Sequence, residues 1–181
     1  RTESLNLAAE QARATSARVD HFIEGAGQLL DAIGVMVSAE PKSSIDVNTK
    51  LQELKAKLPG YINALQVISI TGEVKNVAGE PGVPLATYSV ADRKYFQEAI
   101  KQRRLAFGEP VISRLTGKMS LALASPVLDR DGEIKCVVTL SILAENFQKI
   151  LLNEQNPPNA EITLLDENGI VIARSLDPNK W

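Results

Sequence analysis

The chain has 181 residues, 44% of them hydrophobic, enough to build the core of one ordinary domain and too many for a disordered chain. Its 20 basic and 22 acidic residues are spread along the sequence for a net charge of −2, with no polybasic run, so neither nucleic acid nor a membrane surface is favoured as a partner. No stretch approaches the roughly 18 to 20 uninterrupted apolar residues that span a bilayer, and none reads as a signal peptide.

Leu5, Ala8, Ala12, Thr15, Val19, Phe22, Ala26, Leu29, Ile33 and Met36 follow one another at spacings of three and four, a seam broken only at Thr15. The spacing predicts one long helix over residues 2–38. At 1.5 Å per residue it would be roughly 55 Å long, more than a compact domain of this size is usually wide. Two uses are open. The helix can pack along its own domain, or its N-terminal part can project and pair with a second copy, with Val19, Phe22 and Leu29 as the dimer interface. "AEPKSS" breaks it, and "IDVNTKLQELKAKLPG" gives a second helix with Leu51, Leu54 and Leu58 on one face and Pro59-Gly60 as its stop.

The period then shortens. "NALQVISITGEVKNVAG" reads as a hairpin turning at Thr71-Gly72-Glu73, and a Pro/Gly loop from Gly79 to Thr87 leads into "SVADRKYFQEAI". Ser89 followed by Asp92 predicts a capping box and a helix over residues 89–101. On that helix Val90, Arg93, Phe96 or Gln97, and Ile100 share a face, which puts a guanidinium on an apolar stripe. Next come three strands with turns at Leu115–Gly117 and Asp129–Gly132, a helix at 143–152, and a hairpin in "AEITLLDENGIVIARS" turning at Glu167-Asn168-Gly169. The order of elements defines an α+β fold with a largely antiparallel sheet. Arg1 without a preceding methionine and Trp181 without a stop signal predict a segment of a longer protein.

Catalytic chemistry finds little footing. The single histidine, His21, lies inside the long helix with no Ser or Cys elbow near it in sequence. "GEPVISRLTGKMS" fails as a phosphate loop, because its glycines are too far apart and Met119 stands where magnesium needs a Ser or Thr. Asp129, Asp131 and Glu133 form a solvated hairpin tip with too few oxygens for calcium. Cys136 sits in an apolar strand, without a disulfide partner or zinc-ligand spacing. No metal, no cofactor and no enzymatic activity is expected.

Arg93 asks for a partner. A guanidinium on an apolar face is costly unless paired, and its planar fork suits a carboxylate held bidentately. The partner can be an internal acid such as Glu98 or Glu109, or the anionic group of a ligand, which the N-terminus of a helix would also favour. Ser120, Ala122 and Ala124 alternate with Met119, Leu121 and Leu123, so one face of that strand carries small side chains and leaves room.

"SVADRKYFQEAI", "GEPVISRLTGKMSLALASPV", "DRDGEIKCVVTLSI" and "ITLLDENGIVIARS", in this order and spacing, together resemble the Cache family of extracytoplasmic sensor domains. These are PAS-like modules of bacterial sensor kinases, diguanylate cyclases and chemoreceptors, and the likeness covers essentially the whole chain. It is nearest to the group that opens double-Cache ectodomains. The resemblance implies a PAS-like five-stranded antiparallel sheet with the long N-terminal helix along one side, and a small-molecule pocket on the other. It divides the chain into a juxtamembrane helix (1–38), a membrane-distal ligand-binding module (39–153) and the start of a truncated second module (154–181). It also implies that Arg93 and Tyr95 of the "DRxYF" segment hold the ligand, joined by Tyr88, Ser113, Arg114, Lys118, Ser120 and Ser141. Lys94 stands where amino-acid sensors of the family carry a tryptophan, and Ser141 where they carry an aspartate for the ligand's amine. A carboxylate or other small anion is thereby favoured over an amino acid.

The function so implied is a periplasmic sensor domain of an inner-membrane receptor, dimeric through its N-terminal helix, signalling to a cytoplasmic cyclase, kinase or chemotaxis output. The alternative is a dimerisation or protein-docking ectodomain that binds no metabolite and fills its pocket with its own side chains.

Overall fold

A computed structural model describes residues 2–39, 44–79, 88–151, 161–165, 169 and 171–174. The loop expected at Gly79–Thr87 and the turn at Glu167-Asn168 fall almost wholly outside them. Helix α1 runs over Thr2–Ser38 and α2 over Ser44–Lys57, followed by the hairpin β1 (Ile62–Ile68) and β2 (Val74–Ala78). Helix α3 (Lys94–Gln102) precedes β3 (Ala106–Phe107), β4 (Val111–Ile112), β5 (Met119–Leu128) and β6 (Ile134–Leu143). Helix α4 (Ala144–Leu151) and a separate hairpin, β7 (Thr163–Leu165) with β8 (Val171–Arg174), complete the described chain.

The sheet order is β2-β1-β6-β5-β3, with β4 also on β5, so it is five strands wide and its last position is shared. Every pairing is antiparallel. The first of the three strands expected after α3 is split in two around Gly108-Glu109-Pro110, since a proline supplies no ladder donor. Gly72, which has φ 87° in the β1–β2 turn, lies against the backbone of Ala91; an added Cβ would come within 2.6 Å of it. That close approach joins the turn to the segment leading into α3.

Alternation along the two long central strands builds a core on each face of the sheet. Leu121, Leu123, Val138, Leu140 and Ile142 face α1, meeting Val19, Ala26, Leu30, Ile33 and Val37. Ala122, Ala124 and Val137 face α3, meeting Tyr95, Phe96 and Ala99. Phe147 of α4 is fully buried with edge contacts to Phe22 at 5.7 Å and a tilted one to Phe107 at 5.9 Å. Such aromatic pairs add about 0.5–1.5 kcal/mol each beyond burial.

The buried stripe of α1 is not the heptad seam. It runs Thr15, Val19, Ala26, Leu30, Ile33, Val37, so Leu30 and Val37 replace Leu29 and Met36, which are only half-buried. A straight α-helix drifts roughly 20° per heptad from a 3.5-residue repeat, and the sheet follows the straight helix. Val19 is buried in the chain's own core, while Phe22 and Leu29 pack against it, Phe22 also meeting Tyr61 at 6.1 Å. Residues 5–14, Gln11 aside, are exposed.

Candidate functional site

On the α3 side of the sheet a small cavity lies between β1, β5 and β6 below and the segment around α3, β4 and the β4–β5 turn above. Its lining comprises Gln66, Tyr88, Arg93, Tyr95, Val111, Ile112, Ser113, Arg114, Ser120, Ala122, Thr139 and Ser141. The volume is about 30 Å³, room for one water molecule. Seven of the eight residues that the sequence marked for ligand binding meet there. The eighth, Lys118, is exposed in the turn before β5 and does not line the cavity; it contributes its carbonyl, which accepts from Ser120 Oγ at 3.2 Å.

The helix expected from residue 89 begins five residues later. Arg93 is its N-cap, in extended backbone (φ −80°, ψ 130°) with no side-chain capping bond. Ser89 and Asp92 do not form the capping box. Ser89 Oγ accepts from Ala91 N at 3.2 Å in a local turn, and the Asp92 carboxylate is held by an arginine. The apolar-stripe problem therefore dissolves, because Arg93 stands at the lip of the helix while Tyr95, Phe96 and Ala99 form its buried face.

Two arginines cross-brace this lip. Arg93 Nη2 donates to the carbonyl of Ile112 at 2.9 Å, from the α3 side to β4. Arg114 reaches back: Nη1 donates to Asp92 Oδ1 at 2.7 Å and to the carbonyl of Ser89, and Nη2 to Asp92 Oδ2 at 2.8 Å. This fork is bidentate, and Arg114 holds the Asp92 carboxyl down to about 2. Glu98 lies beside Lys94, at 4.0 Å, and not beside Arg93. Among the described residues no carboxylate forms an ion pair with Arg93.

Burial pushes the Tyr95 phenol up to about 12 and raises that of Tyr88, so both stay protonated donors at neutral pH. Tyr95 also feels Tyr88, Arg93 and Arg114 electrostatically, so two phenols and two guanidiniums converge on one place. Gly108 secures the position of Tyr95, since a Cβ there would lie 2.8 Å from the tyrosine Cβ.

The floor is neutral and polar. Ser120, Thr139 and Gln66 are buried; Thr139 Oγ1 donates to Gln66 Oε1 at 3.3 Å, and Gln66 Nε2 donates to the Tyr88 oxygen at 2.5 Å. Gln66 and Thr139 were not among the residues marked from sequence. Their signal was a polar residue inside an apolar strand, with Thr139 and Ser141 two apart and thus on one face. Among the described residues no group of three or more His, Cys, Asp or Glu side chains could hold a metal, and no helix is long and apolar enough to cross a membrane.

A long helix backing an antiparallel sheet, with a small polar cavity under a short helix on the other face, defines a PAS-like α+β domain. The chain belongs to the Cache domain family, whose model matches residues 1–180. Solved structures of similar fold include the ligand-binding domain of the Pseudomonas aeruginosa amino acid chemoreceptor PctC in complex with GABA, at TM-score 0.74 and 18% identity over 94% of this chain and 76% of that one. The Pseudomonas fluorescens chemoreceptor CtaA with L-isoleucine matches at TM-score 0.76 and 16% identity, covering 97% and 68%. A Campylobacter jejuni chemoreceptor domain with L-valine matches at 0.72 and 15%, covering 97% and 72%. No curated protein sequence matches significantly.

Proposed function

We propose that the chain is the extracytoplasmic sensor domain of a membrane-anchored receptor and that it binds a small carboxylate or similar anion in the cavity under α3. The observation that carries this reading is the convergence of Arg93 and Arg114, from opposite rims, with two protonated tyrosines over a neutral polar floor. Guanidinium forks and phenol donors are what a carboxylate needs and what an apolar ligand wastes. With about 30 Å³ open, an organic anion requires the rim to part. The ligand then acts by favouring one of two rim arrangements, since equal affinity for both would shift nothing. Motion of α3 reaches the sheet and, through β5 and β6, the α1 helix on its far side. In the whole receptor, α1 would lead to a membrane span and couple two copies to a cytoplasmic output.

Arg93→Ala tests this. The variant should keep its circular dichroism spectrum and lose all thermal stabilisation by small carboxylates; unchanged affinity in the folded variant would falsify the reading. The smallness of the closed cavity favours one rival, a docking or dimerisation ectodomain without a metabolite. That rival predicts no stabilisation by any small anion in the unmodified chain.

A further inference from the structure

The hydrogen-bond relay on the cavity floor has a direction. Thr139 gives its proton to Gln66 Oε1, and Gln66 gives an amide proton to the Tyr88 oxygen. The Tyr88 oxygen is therefore already an acceptor, and its own proton is left for whatever fills the cavity it lines. Ser113 is arranged alike: its Oγ accepts from the backbone N–H groups of Leu115 at 3.2 Å and Thr116 at 3.3 Å, leaving its O–H to donate. Ser120 and Thr139 are the exceptions, since their protons go to the Lys118 carbonyl and to Gln66 Oε1 and their oxygens keep accepting lone pairs. Beside these hydroxyls stand two guanidiniums, which only donate. Among the described residues that line the cavity there is no carboxylate; that of Asp92 lies on the rim in the grip of Arg114.

This polarity discriminates between ligands that share a carboxylate. An ammonium group is donor-only, and the neutral hydroxyl oxygens of Ser120, Thr139 and Ser141 do not offset its desolvation beside two guanidiniums with no lining carboxylate. A hydroxyl or keto oxygen accepts from Tyr88 at no such cost. We propose that the group recognised beside the carboxylate is an oxygen acceptor, which makes this a site for small 2-hydroxy or 2-oxo acids and not for 2-amino acids. The inference rests on the carboxylate reading above and narrows it.

Calorimetric titration of the intact chain with L-lactate, pyruvate, propionate and L-alanine, which share a three-carbon skeleton, tests it. Lactate or pyruvate should bind about tenfold more tightly than either propionate or alanine, the scale of one well-placed hydrogen bond. Tyr88→Phe should weaken lactate and pyruvate about tenfold more than it weakens propionate, and so remove their advantage over propionate. Alanine binding as tightly as lactate and pyruvate, with its dependence on Arg93 intact, overturns the inference while the carboxylate reading stands. A loss of propionate binding equal to that of lactate in Tyr88→Phe also overturns it, since Tyr88 would then be serving the carboxylate or the fold. Binding of none of the four acids overturns both readings together.

Discussion

Arg114 and Asp92 grip each other at the rim, the Asp92 side chain largely and that of Arg114 partly in solvent, which makes Asp92 an internal competitor for any anion that Arg114 could hold. An exposed pair of this kind adds little to fold stability. Asp92→Asn should therefore shift the melting temperature by no more than about 2 °C while raising affinity for the anionic ligand by about two- to fivefold. Calorimetry with a saturating acid reads both, and weaker binding would show that Asp92 positions Arg114 and does not compete for it. The pH dependence has a definite sign. The folded carboxyl titrates at about 2, below its ordinary 3.8, so its contribution is present above pH 4 and is lost only as pH falls through about 2. A carboxyl-detected NMR titration that places Asp92 near 4 would mean that the clasp does not form in solution.

Among the elements, α1 separates two repeats that its sequence superposes. Leu29 and Leu30 are adjacent, and a heptad would bury the first while a straight helix on a sheet buries the second. Leu30 is fully buried, so Leu30→Ala should cost about 2–5 kcal/mol in urea unfolding, and Leu29→Ala less than about 1.5. The reverse order would mean that α1 supercoils with another helix. The same contrast explains what the sequence could reveal. Period-two alternation in residues 119–142 and the glycine turns at Gly117 and Gly132, both at positive φ, specify their strands locally and were legible. The α3 N-terminus was not, because its end is set by distant partners. Arg114, 22 residues on, takes Asp92 out of the capping role that its spacing from Ser89 predicts. Gln66 and Thr139 were missed for a related reason: their hydrogen bond spans 73 residues of sequence and exists only once β1 lies beside β6.

At the scale of the whole molecule, α1 divides into a part that the sheet covers and a part that it does not. From Thr15 onward its inner face is committed to the core. Before that, Leu5 and Leu7 are exposed at 67% and 50% on a helix end standing clear of the sheet. For a second copy pairing through α1 this end is the cheaper surface, because Val19 is buried and Phe22 partly packed in the chain's own core. Removing exposed apolar side chains costs a monomer almost nothing, whereas opening a packed aromatic cluster costs about 3–5 kcal/mol. Two substitutions therefore separate association from folding. If the chain pairs as proposed, Leu5→Glu should lower the sedimentation-derived association constant and leave the melting temperature in place, while Phe22→Ala should lower the melting temperature first. If Phe22→Ala instead abolished the dimer with the fold intact, the two copies would meet along the middle of α1. The sheet would then have to release its hold there.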